Sequence, residues 1–310
     1  MLSSWTVLVV ALAYVGLLFA IASYGDKAER LRQNDVLRPL IYALSLAIYC
    51  TSWTFFGSVG LSARSGYDFL PVYIGPILML ALGWPLLRFI VEVSKRQNIT
   101  SIADFISARY GKNQTLGALV AVIAVIGIVP YISLQLKAVS VALETMLPAL
   151  SASQSTAITS AVGDQLALLV ALAMAGFAVL FGTRHIDATE HQHGMILAIA
   201  VESLVKLAAF VVIGLFVTFV LFGGFADMLD KLQARPDIAG TFSGGFDGGR
   251  WLTMTILSTF AIILLPRQFH VAVVENSNIN DVRRAAWLLP LYLVAINLFV
   301  VPIAIAGLLT

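Results

Sequence analysis

Long runs of apolar residues, separated by short polar segments, dominate the chain. Stretches such as VLVVALAYVGLLFAIA and LGALVAVIAVIGIV are unbroken and lack the strict alternation of a half-buried strand. A transmembrane helix needs about 20 mostly apolar residues. The pattern therefore predicts about eight transmembrane helices, at residues 4–24, 38–60, 71–93, 116–146, 164–182, 194–223, 251–272 and 286–309.

Composition points to the same class of protein. The 310 residues are 59% hydrophobic and 12% charged, whereas a soluble domain is roughly 45–50% apolar and about 25% charged. Helices satisfy their own backbone hydrogen bonds inside lipid. We therefore predict an all-α polytopic membrane protein whose first partner is the lipid bilayer. The net charge is +2, and the Lys and Arg residues form no dense basic cluster in the sequence. We therefore expect no nucleic-acid partner.

The distribution of Lys and Arg among the loops predicts the orientation. The odd-numbered loops carry most of these residues, including Lys27, Arg96 and Arg283, and the even-numbered loops carry few. Because basic loops face the cytoplasm, the N-terminus is predicted to be periplasmic, with residues 25–37 and 95–114 in the cytoplasm.

Two loops have features of their own. Residues 97–113 contain an amphipathic stretch that predicts a short cytoplasmic surface helix, capped by Thr100 or Ser101. Residues 224–250 are rich in Gly and Asp and are predicted to form an irregular loop outside the cell.

The second and seventh predicted spans contain interruptions. Hydroxyl residues and glycines cluster in TSWTFFGSVG at residues 51–60, which predicts a break near Thr51–Gly57. Pro266 lies inside the seventh span and removes a helix hydrogen bond. Interrupted helices in corresponding places are typical of a transporter binding site. A packing interface and a simple proline kink explain the pattern equally well.

Some charged residues fall well inside predicted spans. Lys137 lies in the fourth, and Glu202 and Lys206 lie four residues apart on one face of the sixth. Such charges are costly and commonly line an ion or solute pathway. For Glu202 and Lys206 a neutral pair with a snorkelling lysine is the favoured interpretation.

Soluble catalytic chemistry is not indicated. The sequence contains no phosphate loop, no HExxH and no GxSxG motif. The single cysteine excludes a disulfide framework, and the loop holding His191 and His193 supplies no fourth metal ligand. We predict no catalytic site, no metal site and no cofactor in this chain.

Several motifs together resemble a known family: YCTSWTFFGSVGLSARSGYDFLPVYIGP (49–76), ITSIADFISARYGKNQ (99–114), GIVPYISLQLKAVS (127–140), FGTRHIDATEHQHG (181–194) and LLPRQFHVAVVEN (264–276). They resemble the sodium:solute symporter family, and more closely the symporter-type domain at the front of bacterial sensor histidine kinases. The resemblance covers nearly all of the chain.

The resemblance implies a five-plus-five inverted-repeat, leucine-transporter-like fold with one extra N-terminal helix, present here in part. It implies the bacterial inner membrane, and a kinase domain and a response regulator as partners of the full-length protein. The chain stops directly after an apolar run, so residues 1–310 are expected to be a truncated symporter-like domain, with the later core helices and any kinase following.

The resemblance also suggests site residues. Sodium would contact the backbone carbonyls of Ala47 and Cys50, but Tyr49 stands where the family's proline symporters carry an aspartate, and the helix completing the sodium site would follow residue 310. The sodium site is therefore expected to be incomplete. The break and the resemblance together suggest that a small solute contacts Thr51, Trp53, Thr54, Phe56, Gln135 and Ser258.

Three hypotheses follow from the sequence. The first is transport or sensing of a small solute by the membrane domain of a sensor kinase, with amino acids as the leading candidates. The second is a fragment of a plain sodium-coupled symporter, and the third is a receptor module that does not transport. The downstream reading frame distinguishes the first from the second, and solute uptake separates both from the third.

Overall fold

The computed structural model describes residues 4–28, 33–146, 193–244 and 247–310, together with residues 168, 171–172 and 175–176. All regular elements in that part of the chain are helical, as predicted. Four helices are long and apolar enough to cross a membrane, and three bent pairs of helices reach that length together, which gives four to seven spans. The chain is thus a helical membrane protein.

The helices in chain order are α1 (Ser4–Lys27), α2 (Leu37–Leu46), α3 (Ser52–Ser65), α4 (Pro71–Ala81), α5 (Trp84–Gln97), α6 (Ile102–Arg109), α7 (Gln114–Met146), α8 (His193–Phe216), α9 (Phe225–Gln233), α10 (Pro236–Ser243), α11 (Gly248–Leu264), α12 (Pro266–Phe269), α13 (Asp281–Asn297) and α14 (Val300–Leu309). A 3₁₀ turn at Ala47–Tyr49 follows α2, and π-helical turns at Val217–Leu221 and His270–Val274 follow α8 and α12. The predicted fifth span lies largely outside the described residues, so the count of eight stays a prediction.

The core lies where α2, α4, α5 and α13 meet, and its fully buried side chains include Leu46, Phe269 and Leu289. Apolar side chains on α1 and α7 instead face outward, as helices in lipid require. The helices α1 and α8 approach closely at two glycines: a Cβ atom added to Gly25 would lie 2.9 Å from Gly194 Cα. Small residues permit such close packing of transmembrane helices.

The third predicted span is not straight, which corrects the prediction of one continuous helix over residues 71–93. Its two halves, α4 and α5, bend by 69° at Leu82–Gly83. Leu82 follows the end of the first half, Gly83 caps the start of the second, and Pro85 lies in its first turn, where its missing N–H leaves no helix hydrogen bond unmade. The Gly83-Trp84-Pro85 sequence was a signal for this bend that the analysis of apolar runs did not use.

The predicted irregular loop at residues 224–250 contains two helices, α9 and α10, so that prediction is wrong for most of the segment. Apolar side chains of α9, including Met228, pack against α14 and order the segment. At the start of α9 the Asp227 carboxylate accepts hydrogen bonds from Lys231 Nζ at 2.7 Å and from the Gly223 N–H at 3.0 Å. These two donors lower the pKa of Asp227.

The short helix predicted within residues 97–113 is confirmed as α6. Ser101 caps it, because its Oγ accepts a hydrogen bond from Asp104 N at 3.1 Å. The Asp104 carboxylate returns the contact by accepting from Thr100 N at 3.2 Å. This reciprocal arrangement satisfies N–H groups that a helix start leaves without partners.

Candidate functional site

The second predicted span is discontinuous, as the sequence indicated. After the 3₁₀ turn, Cys50 takes an extended conformation (φ −83°, ψ 104°), and Thr51 caps the start of α3. The two halves of this span are bent by 52°. We call Cys50–Thr51 the first break. It lies at the N-terminal edge of the predicted region Thr51–Gly57, and the cluster of hydroxyls and glycines itself is helical.

Side chains from distant helices hold the first break in place. The Tyr131 hydroxyl on α7 donates to Thr51 Oγ1 at 3.2 Å. One helical turn further along α7, Gln135 accepts a hydrogen bond from the Ser52 hydroxyl. From α8, Lys206 Nζ donates to the Cys50 carbonyl oxygen at 3.2 Å. The α7 contacts join side chains, and the Lys206 contact supplies a partner for a backbone carbonyl at the break.

The seventh predicted span is also discontinuous, at the position that Pro266 indicated. Leu265 is extended (φ −64°, ψ 127°), and Pro266 begins α12. The two halves are bent by 50°. We call Leu265 the second break. The Phe269 ring packs against Phe105 of α6, with ring centroids 5.7 Å apart, so side-chain packing anchors the short helix that follows.

Tyr131 connects the two breaks. Its hydroxyl contacts Thr51 at the first break, and its ring faces the guanidinium of Arg267 beside the second break, with Arg267 Cζ 4.5 Å from the ring centroid. This is cation–π geometry. One tyrosine therefore contacts both interruptions, which lie more than 200 residues apart in the sequence.

The residues predicted to contact sodium lie at the first break, but their carbonyls are already engaged. Ala47 O accepts from Cys50 N at 2.9 Å, and Cys50 O accepts from the ammonium of Lys206. A sodium ion on the Cys50 carbonyl would face that positive charge, which is unfavourable. Tyr49 donates its hydroxyl to Val72 O at 2.8 Å and so fastens the turn to α4. The sodium assignment stays a prediction.

Five of the six predicted solute-contacting residues lie at or next to the first break. Thr51 and Gln135 take part in its hydrogen bonds, and Thr54 is buried in the first turn of α3. Trp53 is 48% exposed, and its indole covers Gly57, where an added Cβ would collide with it. Phe56, the fifth of these residues, is partly exposed in the first turns of α3.

The sixth residue, Ser258, lies elsewhere. Its hydroxyl contacts the Pro71 carbonyl oxygen at 2.6 Å, at the tight contact between α11 and α4. Its hydrogen bonds within the described residues, to Pro71 and Thr255, join it to neither break. The solute-contacting role of all six residues stays a prediction.

The charged residues inside the spans have different surroundings. Lys206 and Glu202 form an ion pair at 2.7 Å, as the favoured interpretation required, with each side chain about one-third exposed. Lys206 also contacts the Cys50 carbonyl, which sequence reasoning did not predict. Lys137 is exposed and forms no ion pair with any described residue. His191 and its loop lie outside the described residues, within which no group of three metal-ligating side chains occurs.

Sequence reasoning missed three residues that build the site: Ser52, Tyr131 and Arg267. The spacing of Tyr131 and Gln135 held a usable signal, because positions four apart share one helix face. Both are polar residues within an apolar span. Arg267 directly follows Pro266, which indicated the second interruption, but its sequence context alone did not assign it to the site.

Comparison with known proteins gives a distant match. The chain is similar to the "Uncharacterized symporter YhjB" of Bacillus subtilis (strain 168), with 23% identity over 272 residues. These residues are 87% of this chain and 51% of that protein, so the chain spans about half the length of this curated relative. No protein-family model and no solved structure matches. The similarity suggests a symporter-like family, while the repeat fold stays a prediction.

Proposed function

We propose that the chain is a solute-transport domain whose solute binds between the two breaks, next to Tyr131. The main support is the pair of contacts made by that residue, one to Thr51 and one to Arg267. Broken transmembrane helices present backbone groups and side chains to a solute near the middle of the bilayer. The distant similarity to a symporter supports the same coarse function.

The finer parts of the proposal come from the motif resemblance. We propose that the solute is small, with amino acids as the leading candidates. We also propose that the chain lies in the bacterial inner membrane with its N-terminus in the periplasm. We further propose that the domain serves a sensor histidine kinase, which would act on a response regulator. A downstream reading frame with a phosphoacceptor histidine would support this role, and about five more helices followed by a stop would contradict it.

Uptake by the full-length protein in reconstituted vesicles tests the transport proposal. Labelled amino acids are supplied one at a time, and empty vesicles set the background. We expect accumulation of at least one amino acid, and a changed preference in Trp53→Ala at equal protein level, because that indole lies exposed beside the first break. Absence of uptake with a retained signalling response to the solute would favour a receptor instead.

Reporter fusions test the proposed orientation. A fusion at Asn34 should lack alkaline phosphatase activity, because it follows the first span in a basic loop. Activity at Asn34 would reverse the orientation. Ser155, in a predicted periplasmic loop outside the described residues, should give the opposite result.

A further inference from the structure

The second break places a positive charge, that of Arg267, in the proposed site. Arg267 is partly buried, and no carboxylate among the described residues forms an ion pair with it. Two other partly buried cations have such partners: Arg38 pairs with Asp281 at 2.8 Å and Lys206 with Glu202 at 2.7 Å. An ionised side chain inside a membrane protein is costly without a partner, so Arg267 points to an anion supplied from elsewhere.

Two side chains at the first break, which Tyr131 joins to Arg267, have hydrogen-bond donors to offer. Gln135 Nε2 is buried and has no hydrogen-bond partner among the described residues, while the oxygen of the same amide accepts from Ser52. Thr51 Oγ1 accepts hydrogen bonds from Tyr131 and from Trp53 N, so its own proton is left to donate. A group of donors beside a guanidinium suits an acceptor-only ligand, and a carboxylate has no proton of its own to place.

The first turn of α3 adds to this preference. Trp53 N already donates to the Thr51 hydroxyl and Thr54 N to the Thr51 carbonyl, so this turn contributes mainly the positive end of its helix dipole. The Thr51–Tyr131–Arg267 chain of contacts fixes the guanidinium near that end. The guanidinium charge and the positive end of the α3 dipole therefore both favour a negatively charged ligand.

We propose that the site binds the carboxylate group of its solute between Arg267 and the first turn of α3, with Gln135 Nε2 as an additional donor. This inference rests on the proposed solute site and narrows its substrates to carboxylates. Arg267 is the main determinant because a guanidinium recognises a carboxylate through two parallel hydrogen bonds.

Binding to matched acids and amides tests the inference. The full-length protein is purified into nanodiscs, and dissociation constants are measured for the proteinogenic amino acids, for lactate and for the corresponding amides. Each amide keeps the size of its acid and removes the charge. We expect at least one acid to bind about tenfold or more tightly than its amide, and Arg267→Gln to abolish that difference.

Three further variants control for folding and charge. Arg267→Lys should retain the preference for the acid with weaker binding, because it keeps the charge and loses the two-point geometry. Arg64→Gln makes the same change at an exposed position of α3 and should bind as wild type. Tyr131→Phe keeps the ring beneath Arg267 and should weaken acid binding several-fold, so it serves if Arg267→Gln does not fold.

Three results would overturn the carboxylate site: no acid binds, an amide binds as tightly as its acid, or folded Arg267→Gln retains the preference. Uptake of the same compounds is measured separately. Binding of acids without uptake would overturn the transport function and retain the carboxylate site. Uptake with no preference for acids would retain the transport function and overturn the carboxylate site.

Discussion

The two breaks bend their spans by nearly the same angle, 52° at the first and 50° at the second, but different interactions hold them. At the first break, α7 and α8 supply hydrogen bonds to Thr51, Ser52 and the Cys50 carbonyl. At the second, Pro266 prevents the helix from continuing, and the following residues are packed against α6. The first break is made by tertiary contacts and the second by local sequence.

This difference has a consequence for function. The first break changes when α7 or α8 moves, because its partners lie on those helices. The second break persists wherever those helices lie, because a proline has no N–H for the missing hydrogen bond. A solute that draws Arg267 and α3 together would therefore act on the first break more than on the second. Four substitutions test this contrast.

Gly57→Glu should have the largest effect. It places a charge inside a span, which costs about 2.5–3.5 kcal/mol on insertion scales, and its Cβ collides with the Trp53 indole. We expect solute binding and uptake to fall by tenfold or more. Gly240→Glu is the matched control, because a Cβ there meets nothing within 4 Å. Normal uptake by correctly inserted Gly57→Glu would remove the site from the first break.

Lys206→Met should destabilise the protein by about 2 kcal/mol, because Glu202 loses its cation and the Cys50 carbonyl loses a donor. Thermal unfolding measures the loss, and Glu202→Gln in the same chain should recover part of it. Lys231→Met breaks an ion pair of the same spacing and 2.7 Å distance on α9 and should cause no measurable loss. Equal effects of the two methionine variants would show that Lys206 does not hold the first break.

Tyr131→Phe removes the hydrogen bond to Thr51 and keeps the ring next to Arg267. The expected loss of stability is about 1 kcal/mol. Amide exchange should also increase at the start of α3 and stay unchanged in α12, if the first break alone depends on this hydroxyl. Tyr110→Phe, at an exposed tyrosine, is the control. Faster exchange in both helices would contradict the contrast.

Pro266→Ala should have the smallest effect on stability, within about 1 kcal/mol, because the first position of a helix accepts either residue. Its effect on geometry should be larger, since alanine supplies the missing N–H and frees Leu265 from the restriction that a following proline imposes. Spin labels on α11 and on the turn His270–Val274, the two halves of the bent span, should report a straighter span. An unchanged distance would show that packing, rather than Pro266, maintains the second break.

Sequence reasoning recovered the features that local chemistry determines. Pro266 predicted the second break, and Ser101 was one of the two predicted caps of α6. The spacing of Glu202 and Lys206 predicted their ion pair. Sequence reasoning could not predict the exact position of the first break, because the side chains that hold it are distant in the sequence. Tyr131 is 80 residues from Thr51, and Lys206 is 156 residues from Cys50. The glycines that suggested this break lie within α3, where helix packing outweighs their low helix propensity.

The most direct test of a shared site is protection of both breaks by one solute. With Cys50 replaced by alanine, single cysteines are placed at Ser52, at Leu265 and at the exposed control Asp237. Each variant is labelled with a water-soluble thiol reagent, with and without a solute that the parent protein binds. We predict that the solute slows labelling at Ser52 and at Leu265 and leaves Asp237 unchanged. Protection at Ser52 alone, or at neither break, would contradict a solute site formed by both.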